Sequence, residues 1–391
     1  MKAQEVFQVY RDSIMPTYTK VPLIFTKGKG SRLWDIHNKQ YLDFFPGWGV
    51  GSLGHCHPKV MQAVREQVSK LIFVANNYYN LPQAKLAKEL ARASFASKAF
   101  FCNSGAEANE GAIKLARKFG AGRFEIITFE NAFHGRTLAA LAATGQKKYQ
   151  QGFEPIPEGF KSARFNDIES VNSLVTDKSV AVMLELIQGE GGVNIADKGF
   201  VLGLRKLCDE KKMLLIVDEV QTGIGRTGKM FCYEHYGVKP DLVTLAKALG
   251  GGLPIGVMLA KKEIADTLAP GMHASTFGGS PLVCSAALAV LQAIKKEKLL
   301  AKAESSGAYL FSKLNELRDK YPAIKEVRGL GLMAGMELHR EGKTVVEKCL
   351  EKGLLINCTH DKVLRLMPAL NINKKEIDSA VLILEEALKG L

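Results

Sequence analysis

Between about residue 95 and residue 260 the chain alternates short β-branched or aromatic runs with longer amphipathic stretches. That alternation is the signature of βα units and of a mostly parallel sheet. The runs that read as strands are Ala99–Cys102, Glu125–Phe129, Val180–Leu186, Leu214–Val217, Leu242–Leu245 and Ile255–Ala260. Several are apolar at nearly every position, which predicts central strands covered by helices on both faces. The expected fold class is α/β: a large domain around a mostly parallel central sheet, at residues 50–290, with a smaller α+β domain at residues 291–391. In that second region Ala301–Arg318 and Thr344–Lys352 read as helices, and a last helix is capped near Asn373. Between them Gly331–Leu338, Leu354–Asn357 and Val363–Leu366 read as strands. Residues 1–49 form an N-terminal segment expected to pack with the smaller domain.

Ligands of open parallel sheets bind beyond the carboxyl ends of the strands, so the residues just past each strand carry the functional signal. After Ala99–Cys102 comes NSGAEANE from Asn103, in which Ser104 and Glu107 have capping-box spacing. Gly105 and Ala106 leave the first helical turn bare, so unpaired N–H groups and the helix dipole would meet in a phosphate cradle. An ordinary capped helix would carry the same signal. After Glu125–Phe129, Phe133 and Arg136 share one loop; the ring could cover a planar heterocycle and the guanidinium could fork onto a carboxylate. A core-packed ring and a solvated arginine fit that loop equally well. After Val180–Leu186, Glu190 stands among the glycines of Gln188–Gly192, as it also could in a surface turn.

Asp218 closes the apolar run Leu214–Val217, where an unanswered carboxylate would be costly. Lys247 comes two residues after Leu242–Leu245; burial opposes the charge of an amine at such a position, which marks it as a Schiff-base former. Phosphate cradle, covering aromatic, buried Asp, Schiff-base Lys and substrate-facing Arg have one economical reading, pyridoxal 5'-phosphate. Asp218 would keep the pyridine nitrogen protonated, and Lys247 would hold the aldehyde and then shuttle the substrate proton.

Other signals are weaker. Gly223–Lys229 nearly spells a phosphate-binding loop, but Met230 replaces the hydroxyl that would hold Mg²⁺. Gly329-Leu330-Gly331 lacks the acidic partner of a dinucleotide fingerprint and reads as the start of a strand. His55-Cys56-His57 has no second ligand cluster, so no metal is expected. The formal charge is +13, from 53 Lys+Arg against 40 Asp+Glu. Because the basic residues are dispersed rather than striped, a bias toward small anions fits better than a nucleic-acid or other polyanion partner. Seven cysteines without a C-x-x-C pair suit a reducing compartment. No leader-like N-terminus and no apolar run approaching about 18 residues lead to the expectation of a cytoplasmic protein with no membrane partner.

Taken in order, Leu53–Pro58, NSGAEANE, FHGRT from Phe133, QGEGG from Gln188, DEVQTG from Asp218, Lys247 with its glycines, STFGG from Ser275 and Leu364-Arg365-Leu366 resemble the class-III pyridoxal-phosphate aminotransferases over nearly the whole chain. The resemblance implies a fold-type-I transferase that works as a homodimer. By it Lys247 and Asp218 are the catalytic pair, and Ser104, Gly105, Ala106, Phe133 and Gln221 hold the cofactor, Gln221 through the phenolic oxygen. Thr276 would reach the partner subunit's phosphate and Ser275 its substrate. Arg136, Glu190 and Arg365 would read substrate carboxylates, Glu190 pairing with Arg365 for a distal-amine donor and releasing it for glutamate.

The implied reaction moves the distal amine of N2-acetylornithine to 2-oxoglutarate, giving N-acetylglutamate 5-semialdehyde and glutamate, a step of arginine biosynthesis. Succinyldiaminopimelate, ornithine and 4-aminobutyrate are alternative donors, and glutamate 1-semialdehyde aminomutase shares the scaffold. Phe277 is the residue that favours the acetylated donor over ornithine; Trp48 and Ser280 depart from the family pattern.

Overall fold

The structure, a computed structural model, describes residues 1–389. Its centre is a seven-stranded sheet built from β1 (Lys98–Cys102), β2 (Glu125–Phe129), β3 (Phe160–Ala163), β4 (Ser179–Leu184), β5 (Leu214–Asp218), β6 (Leu242–Leu245) and β7 (Gly256–Ala260). The order across the sheet is β1-β7-β6-β5-β4-β2-β3. Neighbours from β6 to β3 run parallel, whereas β7 is antiparallel to both β6 and β1.

The strands form where the sequence is β-branched and apolar because both faces are covered. On β5, Leu215 and Val217 enter one buried cluster while Leu214 and Ile216 enter another on the opposite face, as the two-residue period of a strand requires. Helix α1 (Gly105–Phe119) supplies Ala112, Ile113, Leu115 and Ala116 to the second cluster. Helix α2 (Lys198–Glu210) supplies Phe200, Val201 and Leu204 to the first.

Several strands have no counterpart among the runs that read as strands in the sequence, β3 and the first strand of the C-terminal region among them. Strand β3 is a short edge strand in which only Ala163 is buried, so it lacks the apolar run of its neighbours. In the C-terminal region, β8 (Ile324–Leu330) pairs with β9 (Met333–Leu338) in an antiparallel hairpin. Gly329-Leu330-Gly331 therefore ends one strand and turns the hairpin rather than starting a strand. Gly331 has a φ of +57°, and a Cβ there would lie 2.4 Å from the Thr227 carbonyl carbon. The strands β10 (Asn357–Thr359) and β11 (Val363–Leu366) complete a four-stranded sheet in the order β8-β9-β11-β10.

Residues Phe25–Lys29, Arg32–Asp35 and Gln40–Asp43 form a second small sheet, which Leu354–Leu355 joins by pairing in parallel with Gln40–Asp43. The last helix, Lys374–Leu388, begins at Asn373, whose side chain accepts from the Glu376 amide. All seven cysteines are free thiols. Among the described residues no helix is long and apolar enough to cross a membrane.

The near-match to a phosphate loop at Gly223–Lys229 is a structural junction. Arg226 is fully buried and donates to the Leu332 and Pro368 carbonyls and to the Ser52 hydroxyl. Burial alone lowers its pKa to about 10, so it remains charged at neutral pH with carbonyl and hydroxyl oxygens as acceptors.

Candidate active site

The carboxyl ends of β1, β2, β4, β5 and β6 open onto one cavity of about 490 Å³, a size suited to a small-molecule ligand. Asn103–Ala106, Phe133–Arg136, Glu185, Glu190, Asp218, Gln221 and Lys247 all line it. Residues far apart in sequence meet there because each sits just past a strand of the same sheet edge.

Three hydrogen bonds hold Asp218. Its Oδ2 accepts from Asn109 Nδ2 and from His134 Nδ1, both at 2.8 Å, and its Oδ1 accepts from the Val220 amide at 3.0 Å. Asn109 is itself fixed by Thr244, whose hydroxyl donates to Asn109 Oδ1 at 2.7 Å. Burial would depress the His134 pKa, but the hydrogen bond and charge of Asp218, with Glu185 farther off, outweigh it and raise it. Glu185 shifts upward because burial and the Asp218 charge disfavour its ionised form; it accepts from the Phe133 and Gly189 amides.

At the start of α1 the Ser104 hydroxyl accepts the Glu107 amide at 3.1 Å. The capping pattern is displaced by one residue: Glu107 reaches back to the amide and side chain of Asn103 instead of the Ser104 amide. The amides of Gly105 and Ala106 belong to the first helical turn, where N–H groups have no intrahelical acceptor. They border the cavity, and N–H groups so placed are suited to receive an anion.

Lys247 lies in the same cavity with a φ of +41°, a left-handed conformation uncommon for a side chain of this kind and concentrated at functional positions. Burial lowers its pKa against the opposing pull of Glu190 and Asp218. Glu190 answers Arg365: Arg365 Nη1 donates to Glu190 Oε1 at 2.7 Å and to the Gly189 carbonyl at 2.7 Å. Arg365 is fully buried, braced by Asn357 through Nε, and its Nη2 has no protein acceptor among the described residues. Burial disfavours the Glu190 carboxylate, yet Arg365 and Lys247 more than compensate and hold its pKa low.

Arg136 is exposed at the rim and makes no ion pair among the described residues. It stacks 4.0 Å over Tyr149 and 5.6 Å over Phe133. Gln221 lies close to Arg365 and donates weakly to the Trp48 carbonyl at 3.4 Å. Trp48 itself is half exposed, edge-on to Phe45.

Ser275 and Thr276 stand apart from this cavity. They line a separate surface cleft of about 340 Å³, where Ser275 Oγ accepts from Asn103 Nδ2 and from the Gly278 amide, and Thr276 is exposed. Asn109, Glu185 and Tyr149 take no role from the sequence alone. For Glu185 a signal existed, since it is a carboxylate inside an apolar run; Asn109 and Tyr149 acquire partners only through the fold.

Residues 14–388 match the family Aminotransferase class-III. The chain is 54% identical to acetylornithine aminotransferase of Methanocaldococcus jannaschii, with 94% of each chain covered. It is 48% identical to acetylornithine aminotransferase of Methanothermobacter thermautotrophicus over the full length of both. Among solved structures, ornithine aminotransferase of Toxoplasma gondii superimposes with a TM-score of 0.96 at 34% identity, covering 99% of this chain and 95% of that one. Acetylornithine aminotransferase of Elizabethkingia anophelis gives 0.89 at 32% identity, covering 100% and 99%.

Proposed function

This chain belongs to the class-III aminotransferases, and from that premise we propose that it transfers the distal amine of N2-acetylornithine to 2-oxoglutarate with pyridoxal 5'-phosphate as cofactor. The observation that carries the substrate reading is the unequal state of two arginines, Arg136 on the cavity wall and Arg365 buried behind Glu190. Arg365 is latched to Glu190 at 2.7 Å, while Arg136 has no carboxylate partner among the described residues. A distal-amine donor with one carboxylate needs only Arg136. A five-carbon dicarboxylate needs both cations, and Glu190 must then let go of Arg365. The names of the relatives at 48–54% identity support the same substrate.

The residues suit the cofactor. Asp218 Oδ2 is filled by Asn109 and His134, whereas Oδ1 holds only the Val220 amide, so a lone pair remains for a protonated pyridine nitrogen. The open amides of Gly105 and Ala106, with the Ser104 hydroxyl, suit a phosphate. Phe133 and Gln221 line the same cavity, where Phe133 would cover the cofactor ring and Gln221 would bond its phenolic oxygen. When bound, pyridoxal phosphate supplies an electron sink for the substrate carbon that loses its proton. Lys247 would hold the cofactor aldehyde, and its pKa, lowered by burial, would favour the neutral amine that accepts and returns the substrate proton.

A homodimer is part of the reading. Ser275 and Thr276 lie outside their own cavity, beside Phe277, whose exposed ring packs on the exposed ring of Phe73, and exposed apolar rings of this kind mark protein contacts. In the dimer Thr276 meets the second subunit's phosphate and Ser275 its substrate. The reaction would be a step of arginine biosynthesis in the cytoplasm, a reducing setting with which the seven free thiols accord.

The test is the visible absorbance of the cofactor-loaded protein mixed with each amine. Rapid loss with N2-acetylornithine, restored by 2-oxoglutarate, is the expected result. Faster discharge by ornithine, 4-aminobutyrate or succinyldiaminopimelate would replace the substrate and leave the chemistry in place. Turnover of glutamate 1-semialdehyde without 2-oxoglutarate would replace transfer between molecules with transfer within one.

A further inference from the structure

The loop that carries Glu190 is rooted in one sheet and held at its tip by another. Its root extends from β4: the Gly189 amide donates to Glu185 Oε1 at 3.2 Å, and Gln188 Nε2 donates to the Glu130 carbonyl at 2.7 Å. At the tip, successive carbonyls are taken by side chains of the C-terminal four-stranded sheet. Arg365 on β11 holds the Gly189 carbonyl at 2.7 Å. Thr359 on β10 donates its hydroxyl to the Glu190 carbonyl at 2.6 Å. Arg328 on β8 grips the Gly192 carbonyl through Nε at 3.1 Å and Nη2 at 2.7 Å. Ile187–Gln188 pairs antiparallel with Asn194–Ile195 at the base of the loop, and Asn194 Nδ2 donates to the Gly191 carbonyl within it.

Glycines at 189, 191 and 192 give this loop little intrinsic rigidity, so these carbonyl contacts determine where the Glu190 carboxylate stands. Arg328 is oriented in turn by Glu326 and Glu337, which accept from its Nη1.

We propose that Thr359 and Arg328 are positioning residues for donor preference: by fixing the carbonyls of Glu190 and Gly192 they keep the Glu190 carboxylate on Arg365 and so favour the distal-amine donor over glutamate. The proposal rests on the reading of Glu190 and Arg365 as a pair that opens for glutamate. Neither Thr359 nor Arg328 lines the cavity of Lys247, so both act through the loop alone.

The test compares Thr359→Val, Thr359→Ser, Arg328→Gln and Glu190→Gln by single-turnover absorbance with N2-acetylornithine and with glutamate, and by hydrogen–deuterium exchange of residues 187–195 in the cofactor-free chain. In Thr359→Val and Arg328→Gln the ratio of distal-amine to glutamate rates should fall roughly 3- to 10-fold, the effect of one lost hydrogen bond. Exchange should rise within the loop and stay unchanged in β4 and β5, and Thr359→Ser should restore both readouts. Equal slowing of both half-reactions, or an unchanged ratio beside a shifted ratio in Glu190→Gln, would overturn the positioning role and leave the Glu190 reading intact. An unchanged ratio in Glu190→Gln itself would overturn the Glu190 reading, and the proposal with it.

Discussion

His134 Nδ1 and Asp218 Oδ2 stand 2.8 Å apart in a pair closed to solvent, and Asn109 completes the same oxygen. Removing the imidazole takes a charge-assisted donor from Asp218, the group proposed to face the cofactor nitrogen. Such bonds are worth about 1.5–3 kcal/mol, so His134→Gln should weaken cofactor affinity about 10- to 100-fold, measured by titrating the cofactor-free protein. Burial opposes the His134 charge, and Asp218 overrides it to raise the pKa above the ordinary value of 6.5. Protonated His134 therefore favours the fold: its contribution is complete below 6.5 and is lost as pH rises through the folded value. The unfolding free-energy gap between wild type and His134→Gln should be wider at about pH 6 than at about pH 9 in urea titrations.

Arg365→Lys should damage the opposite half-reaction from Glu190→Gln. Lysine keeps the charge but loses the planar fork that contacts Asn357, Gly189 and Glu190 together. With glutamate the loss should reach about 10-fold or more in kcat/KM, while the donor that leaves Arg365 on Glu190 should lose less. Similar losses with both donors would remove the assignment of Arg365 to the α-carboxylate.

Tyr149 underlies Arg136 at 4.0 Å. Tyr149→Ala should raise the KM for N2-acetylornithine about 3- to 10-fold through the lost cation–π contact, with kcat little changed. Tyr149→Phe should behave like wild type, because the ring face is retained. A fall in kcat at unchanged KM would place Tyr149 in the chemistry instead.

Gly256 admits no Cβ: one there would lie 2.1 Å from the Ser104 carbonyl oxygen and 2.8 Å from Cys102 Sγ. Gly256→Ala should cost about 1–3 kcal/mol in denaturant unfolding, as overpacking does, and should weaken cofactor binding because the displaced carbonyl belongs to Ser104, the cap of the helix whose first turn is the proposed phosphate site. Gly199 is the control. Nothing lies within 4 Å of its Cβ position on α2, so Gly199→Ala should stabilise by up to about 1 kcal/mol.

The sheet edge was legible because a parallel strand and the loop after it are contiguous in sequence. Asp218 and Lys247 each announce themselves as a charge at the end of an apolar run. Strand β3, half polar and at the edge, and strand β8, interrupted by Lys325, Glu326 and Arg328, carry no such run and were missed. Contacts such as Arg365 to Glu190 and Thr359 to the Glu190 carbonyl cross about 170 residues, and no local pattern encodes them. The first entered through family resemblance; the second became visible only in the fold. Trp48, a departure from the family pattern, contributes its carbonyl to Gln221 while its ring packs on Phe45.

The left-handed backbone at Lys247 has a consequence for how this chain tolerates change. A lysine there is held about 1–2 kcal/mol above a relaxed conformation, and its amine is placed where burial disfavours the charge it would carry in water. Asparagine accepts that backbone more readily and carries no amine, so cofactor-free Lys247→Asn should resist urea better than cofactor-free wild type; lower resistance would show that the lysine stem packs too well to be removed. With Lys247 as the proposed catalytic amine, greater urea resistance in Lys247→Asn would set stability against turnover at this one position, and a screen that selects only for stability would drift toward an inert protein.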